Sequence, residues 1–347
     1  MSDPVFIPHE AAPHVATWTA FPSHEDLWQE DLPRAQAQSA QMIQALAGLS
    51  RTQGKLAEQV FVLVQGEAAR EAALAWLKDC ATVVEARFGD IWLRDTGPIF
   101  ARSGRARIAL RPRFNGWGGK YDLPGDREVS PFVAQQSRTA LRAVDLTIEG
   151  GALEFDGEGT LLTTRECVLN PNRNPGLTEA EAERILRDAF GVEKVLWLDR
   201  GLLNDHTDGH IDNVARFIGP GRVVCQSPAS ADDPHRARLE EARAQLEAMT
   251  DAKGRRLDVL TVPAPGFVPN RDGDAAPASH MNYVIGNESV VVPVYDTPTQ
   301  DEAVAKLAQL FPGRRTVGVA SDALLTGGGS FHCITQHQPA FEKEAAE

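Results

Sequence analysis

A chain of 347 residues with a formal net charge of −13 is poorly suited to nucleic acid, whose phosphates reward Lys and Arg, and its long-range field favours small cations. The start, Met1-Ser2-Asp3-Pro4, lacks the basic patch and apolar core of a secretion signal, and no apolar run approaches the ~20 residues of a membrane span. Cys80, Cys167, Cys225 and Cys333 are scattered without CxxC pairing, which argues against a disulfide framework or a cysteine zinc site and for a reduced, cytoplasmic protein.

Residues 16–20 read as a strand and 33–49 as a helix with apolar positions at helical spacing. A strand at 60–64, a helix at 67–78 and a strand at 83–85 follow. Next comes a hairpin, 99–102 with 106–114 around Ser103-Gly104, then a helix at 131–142 and a strand at 144–148. The same grammar recurs three times. Residues 152–155 and 160–164 flank a turn, and a helix at 178–190 leads to a strand at 195–198. Residues 213–218 and 222–226 precede a helix at 234–249 and a strand at 257–262. Residues 282–285 and 289–295 precede a helix at 300–311 and a strand at 316–319.

This is a repeat of element order at a spacing of roughly 60 residues, with little identity between copies. A fifth copy closes a ring if the segment around Cys333 pairs with that around Trp18 and continues into the 33–49 helix and the 60–64 strand, leaving 67–85 as an insertion. Closure removes exposed edge strands. Polar, glycine-flanked motifs open each hairpin: 89–98, 149–151, 208–213, 279–282 and 327–333. In a closed ring these positions meet around one axis.

Taken alone, Cys333 reads as a buried apolar cysteine, 91–95 as an amphipathic strand ending in a turn Asp, and Glu149 as a turn residue. His210 and Asp212 share one face if the segment is a strand. His206, Asp208, His210 and Asp212 also make an imidazole and carboxylate set of the kind that binds zinc or iron, the mark of a metal-dependent hydrolase. The triplet Gly327-Gly328-Gly329 opens a β-like segment without a following Lys-Ser/Thr, so it is no phosphate loop. Together, a cysteine, a histidine and several carboxylates fit a planar cationic substrate, because carboxylates pair bidentately with a guanidinium.

The motifs DIWLRDTGP (90–98), FNGWGGKY (114–121), EGG (149–151) with LLTTRECVLNPNRNP (161–175), DGHIDN (208–213) and GGGSFHCITQHQP (327–339) resemble those of the agmatine deiminases and related bacterial peptidyl-arginine deiminases. The resemblance runs from WTAFP (18–22) nearly to the end. It departs at Phe21, at Ser330-Phe331 after the glycine triplet, and at His206, where several members carry an acidic residue.

The resemblance implies the pentein fold, an α/β propeller of five pseudo-symmetric ββαβ modules, in a single catalytic domain spanning 1–347. It implies Cys333 as nucleophile, His210 as general acid/base, Glu149 as its orienting partner, and Asp95 and Asp212 as guanidinium-binding carboxylates. Trp92 and Trp117 would wall the substrate channel, core packing being their alternative role. The implied reaction is hydrolysis of agmatine to N-carbamoylputrescine and ammonia through an amidino-thioether, without metal or organic cofactor. Deimination of arginine or peptidyl-arginine, or amidino transfer, would use the same chemistry. The expected partner is a small cationic guanidine, with neither nucleic acid nor membrane; a homo-oligomer is compatible with the sequence.

Overall fold

Residues 99–113 fold as the expected hairpin, Ile99–Ser103 antiparallel to Ala106–Arg113, and the chain returns through the helix Asp126–Gln136 to lay Ala140–Thr147 parallel to the second strand. The computed structural model describes residues 3–48 and 56–341. Within them the unit recurs. Glu154–Phe155, Thr160–Thr164 and Lys194–Leu198 form a second sheet, Ala215–Gly219, Arg222–Ser227 and Asp258–Pro263 a third, and Val284–Ile285, Ser289–Val294 and Arg315–Ala320 a fourth. Each pairs its first two strands antiparallel and its last two parallel, with the helix Glu179–Phe190, Arg236–Ala248 or Gln300–Leu310 in the crossover.

The fifth sheet joins the chain ends. Thr335–Pro339 runs antiparallel to His14–Ala20, with Gln336 opposite Trp18, and His14–Ala20 runs parallel to Val60–Val64. The Trp18 indole seals the junction by donating to Gln338 Oε1 at 2.9 Å. Leu32–Ala47 is the crossover helix, and Glu67–Leu77 with Thr82–Glu85 extends this sheet as the expected insertion. Leu49, the last residue of the expected first helix, lies outside the described residues.

Alternation along the strands holds the sheets to one another. Successive side chains of a strand point to opposite faces, and here both faces are covered. Leu161 packs with Leu110 and Trp197 towards the first sheet, whereas Leu162 packs with Phe217 and Val223 towards the third. Val223 and Val224, and Val290 and Val291, divide in the same way between the clusters on either side of their sheets. The cores therefore lie between modules.

Three local expectations are corrected. The helix placed at 131–142 is Asp126–Gln136, and its following strand begins at Ala140 instead of 144. Proline inside a helix normally costs a hydrogen bond to the carbonyl four residues earlier. Here the freed Arg127 carbonyl accepts from Arg111 Nη2 at 2.9 Å, so the helix runs through Pro131. Residues 91–95 are no strand; Leu93–Thr96 is a helical turn. His210 and Asp212 do not share a strand face either, because Ile211–Asn213 is a 3-10 turn that turns them separately. An edge strand unforeseen in the sequence, Val5–Phe6, pairs with Ile99–Ser103 and leads the N-terminal segment across the ring.

Candidate active site

Each module enters its first strand through a tight turn, and these turns converge. Leu93–Thr96 precedes Ile99, Glu149 and Gly150–Ala152 precede Glu154, and His210 and Ile211–Asn213 precede Ala215. Asn282 precedes Val284, and Cys333 precedes Thr335. The turns are tied to each other directly: Arg94 N donates to the Cys333 carbonyl at 3.0 Å, and His332 N to the Asn282 carbonyl at 3.0 Å.

The convergence brings together the five residues expected to carry chemistry. Cys333 Sγ donates to Asp212 Oδ2 at 3.7 Å and accepts from Asn282 Nδ2 at 3.1 Å. His210 Nε2 lies 3.3 Å from Glu149 Oε2, and its Nδ1 lies 3.9 Å from Asp95 Oδ1. A carboxylate at Nε2 calls for a proton there, which leaves Nδ1 as the atom turned to the reacting side. Among the described residues, His210 Nδ1 and Asp212 Oδ1 are buried without a hydrogen-bond partner. A buried polar atom left open calls for an explanation, and a bound substrate would supply one here.

Gly151 lies among these groups. A Cβ on it would lie 2.5 Å from His210 Nδ1, 3.0 Å from Asp212 Oδ2 and 3.1 Å from Asp95 Oδ1. The three groups can close around this backbone because residue 151 has no side chain. The glycines before Cys333 also make room for aromatic rings. Gly327 clears the indoles of Trp28 and Trp92, and a Cβ at Gly329 would meet Trp92 at 2.7 Å and Cys333 Sγ at 3.1 Å.

Trp92 and Trp117 are both buried yet line the cavity that leads to Cys333, a space of about 210 Å3 that also touches Asp95, Tyr121, His206 and Thr326. Their indole N–H groups are committed to carboxylates. Trp92 Nε1 donates to Asp90 Oδ2 at 2.8 Å and Trp117 Nε1 to Asp95 Oδ2 at 2.9 Å. Trp117 reaches Asp95 from a left-handed backbone (φ 53°), a conformation that costs energy outside glycine.

Burial and mutual charge set the protonation of the site. Burial pushes Asp95 up to about 6, with Glu149 and Asp212 adding to the rise and His210 opposing it. Burial also works to raise Glu149, but His210 and Arg173 overcome it and hold that carboxyl below its usual range. Burial would lower His210; Asp95, Cys167 and Glu149 together carry it well above an ordinary histidine. The Cys333 thiol is pushed well up by burial and then by Asp212 and Asp95. The empty site thus holds a neutral thiol beside an imidazolium and a partly anionic lining. A bound cation would lower the thiol and relieve the carboxylates.

Several partners escaped the sequence reading. Arg173 donates from Nε to both Glu149 oxygens, at 2.8 and 3.1 Å, and from Nη1 to Asp208 at 2.6 Å. Cys167 donates to Glu149 Oε2 at 3.9 Å. Asn282 sits against the sulfur, and His332 against Asp212. Arg173 and Asn282 both fall in segments whose polar, Gly- or Pro-rich character stands out in sequence; nothing local assigns them a partner.

The metal alternative does not assemble. Asp208 pairs with Arg173 and Lys120, His206 Nδ1 faces the Tyr121 hydroxyl, and Asp212 faces His332, so the four residues turn to different neighbours. Among the described residues, the atoms of Glu149, Cys167 and His210 do lie within 4.8 Å of one another. Glu149 there is already neutralised by a guanidinium, which makes the trio a weak set for a cation.

Relatives with known names extend over the whole arrangement. Agmatine deiminases of Stutzerimonas stutzeri and Pseudomonas aeruginosa are 36% and 37% identical to this chain, each over 97% of it and 96% of the relative. The solved structure of the Enterococcus faecalis agmatine deiminase superposes with a TM-score of 0.89 at 31% identity, covering 96% of both chains. A dimethylarginine dimethylaminohydrolase, 14% identical with a TM-score of 0.52 over 93% of this chain and 99% of its own, shares the fold alone. The five sheets around a common axis are the pentein fold. The profile of the Porphyromonas-type peptidyl-arginine deiminases matches residues 6–339, and the chain belongs to that family.

Proposed function

We propose that this protein is an agmatine deiminase, a hydrolase acting on the C–N bond of a linear amidine and yielding N-carbamoylputrescine and ammonia. The observation that carries this reading is the convergence of Cys333 with Asp212, and of His210 with Glu149 and Asp95, at the base of a cavity that Cys333 and Asp95 both line. The named relatives supply the choice of agmatine among guanidines.

In this reading Asp95 and Asp212 pair with the guanidinium, which offsets the cost of their burial. The substrate's charge lowers the Cys333 thiol, and the thiolate attacks the guanidinium carbon. The tetrahedral adduct places its amino group at His210 Nδ1; protonation there breaks the C–N bond and releases ammonia. Water enters, gives a proton to His210 and attacks the amidino-thioether. Collapse expels Cys333 and leaves the urea. Glu149, neutralised by Arg173, orients His210 throughout. Trp92 and Trp117 wall the channel. A role in putrescine formation and a cytoplasmic setting follow from this reading; among the described residues no helix is long and apolar enough to cross a membrane.

Ammonia release from agmatine by the purified protein, compared with Cys333→Ser, tests the proposal. Turnover lost in the variant and resistant to chelators is expected. Turnover of arginine or peptidyl-arginine with none of agmatine would overturn the substrate, and recovery of the amidino group on an added amine would overturn hydrolysis.

A further inference from the structure

The two aspartates that face the guanidinium position have unequal surroundings. Asp95 is held by two uncharged donors, Trp117 Nε1 at 2.9 Å and Gly151 N at 2.9 Å. Asp212 Oδ2 instead meets His332 Nδ1 at 2.7 Å, and the other nitrogen of that ring, Nε2, lies 2.9 and 3.1 Å from the two oxygens of Glu10. Both faces of the imidazole are carboxylates, and the His332 and Asp212 side chains are each 1% exposed. A ring so placed satisfies both neighbours only by donating from both nitrogens.

Glu10 cannot easily move away. Arg94 Nη1 donates to it at 2.6 Å, and Arg216 also pairs with it while donating to Glu154 at 2.9 Å. Neither Glu10 nor His332 lines the substrate cavity. A chain of contacts, Cys333 to Asp212 to His332 to Glu10, therefore runs from the thiol into the ring interior, and Asp212 Oδ2 is shared between the thiol and His332.

We propose that His332, clamped between Asp212 and Glu10, is a positioning residue of the reaction: bonded to a carboxylate at each ring nitrogen, it holds Asp212 aimed at the guanidinium before substrate arrives. Asp95 lacks such a clamp: its nearest imidazole nitrogen, His210 Nδ1, lies 3.9 Å away.

The groups facing each member are few. Asp212 faces His332, the Cys333 thiol and His210, with Arg216 at longer range and Asp95 across the pocket. His332 faces Asp212 and Glu10; Glu10 faces Arg94, His332, Arg216 and His337. Burial works to raise Asp212, but His332 first and then His210 and Arg216 hold it below the usual carboxylate range. Asp95, under comparable burial, stands at about 6.

The kinetic consequence rests on the guanidine-hydrolase reading; the clamp does not. In a crystal structure of the substrate-free wild-type chain, Asp212 should already be held by His332 in the position that it takes in Cys333→Ser with agmatine bound, and an Asp212 that turns only on binding overturns the proposal. In His332→Gln, the KM for agmatine should rise roughly 10- to 100-fold with kcat reduced less, because pairing with the guanidinium is what Asp212 supplies. A merely structural role would lower kcat and leave KM, and an unchanged KM overturns the proposal. A preset Asp212 together with no agmatine turnover by the wild type would support the clamp and sink the substrate reading instead.

Discussion

Trp117 Nε1 donates to Asp95 Oδ2 at 2.9 Å, so one residue lines the cavity at Cys333 and also stabilises the charge of a carboxylate in it. Burial drives Asp95 up to about 6, and this hydrogen bond is among the influences that restrain it. Trp117→Phe keeps an aromatic wall and removes the donor. Asp95 should rise further, so the acid limb of the agmatine kcat/KM profile moves to higher pH, with a loss near pH 7 of roughly tenfold or more, the scale of a hydrogen bond to a charged group. A profile that merely drops in height without moving would show that the indole acts only as a wall.

Gly151 carries a second prediction. Its backbone conformation is open to any residue, yet a Cβ would come within 2.5 Å of His210 Nδ1. Gly151→Ala should be less stable than the wild type by roughly 1–3 kcal/mol, because the added methyl must push the buried His210 ring aside. Its kcat/KM for agmatine should fall by roughly two orders of magnitude, since small misplacements of reacting groups cost that much. Near-normal kinetics would mean that substrate sits elsewhere.

Glu149 binds His210 on one side and Arg173 on the other, and both side chains of the Arg173 pair are 0% exposed. Glu149→Gln removes one of the influences that raise His210, so the alkaline limb of the pH profile should move down. It also leaves the Arg173 cation with Asp208 alone. A buried charge stripped of a partner costs about 3–5 kcal/mol, the upper bound here because Asp208 remains, and the melting temperature should fall accordingly. An unchanged alkaline limb would separate Glu149 from the titration of His210.

Asp126 gives a stability prediction away from the chemistry. Its Oδ1 accepts from Gly89 N at 2.9 Å and Asp90 N at 3.2 Å, while the buried Oδ2 has no partner among the described residues. Burial pushes the group up to about 6. Between its unfolded value near 3.8 and 6 the folded state holds more protons than the unfolded one, so stability declines as pH rises through that window. Asp126→Asn has no such proton to lose. At pH 7.5 it should be more stable than the wild type by about 1–2 kcal/mol, the shift of some two units being offset by a lost favourable charge in the first helical turn. Near pH 4 the difference should vanish. Denaturant melts at the two pH values decide it, and an advantage that persists at pH 4 would refute the assignment.

The reading of Pro131 as a helix start shows where sequence runs out. Proline at a first turn and proline inside a helix look alike in sequence; here the choice turned on Arg111, twenty residues earlier, reaching the Arg127 carbonyl. The expected strand face for His210 and Asp212 failed for a related reason. Two residues apart in a polar, glycine-flanked run fit a strand or a tight turn, and only the convergence of the five hairpins demands the turn.

Element order, the ββαβ grammar and the hairpin-opening motifs were determined by the sequence alone, because hydrophobic periodicity and turn residues are local signals. The candidates Asp95, Glu149, His210, Asp212 and Cys333 came from the resemblance that those motifs carry. Only the tertiary structure decided what stands behind them. Glu10, Arg173, Arg216, Asn282 and His332 meet their partners across separations that reach 322 residues for Glu10 and His332. A buried charge is defined by what faces it, and only the closed ring brings those faces together.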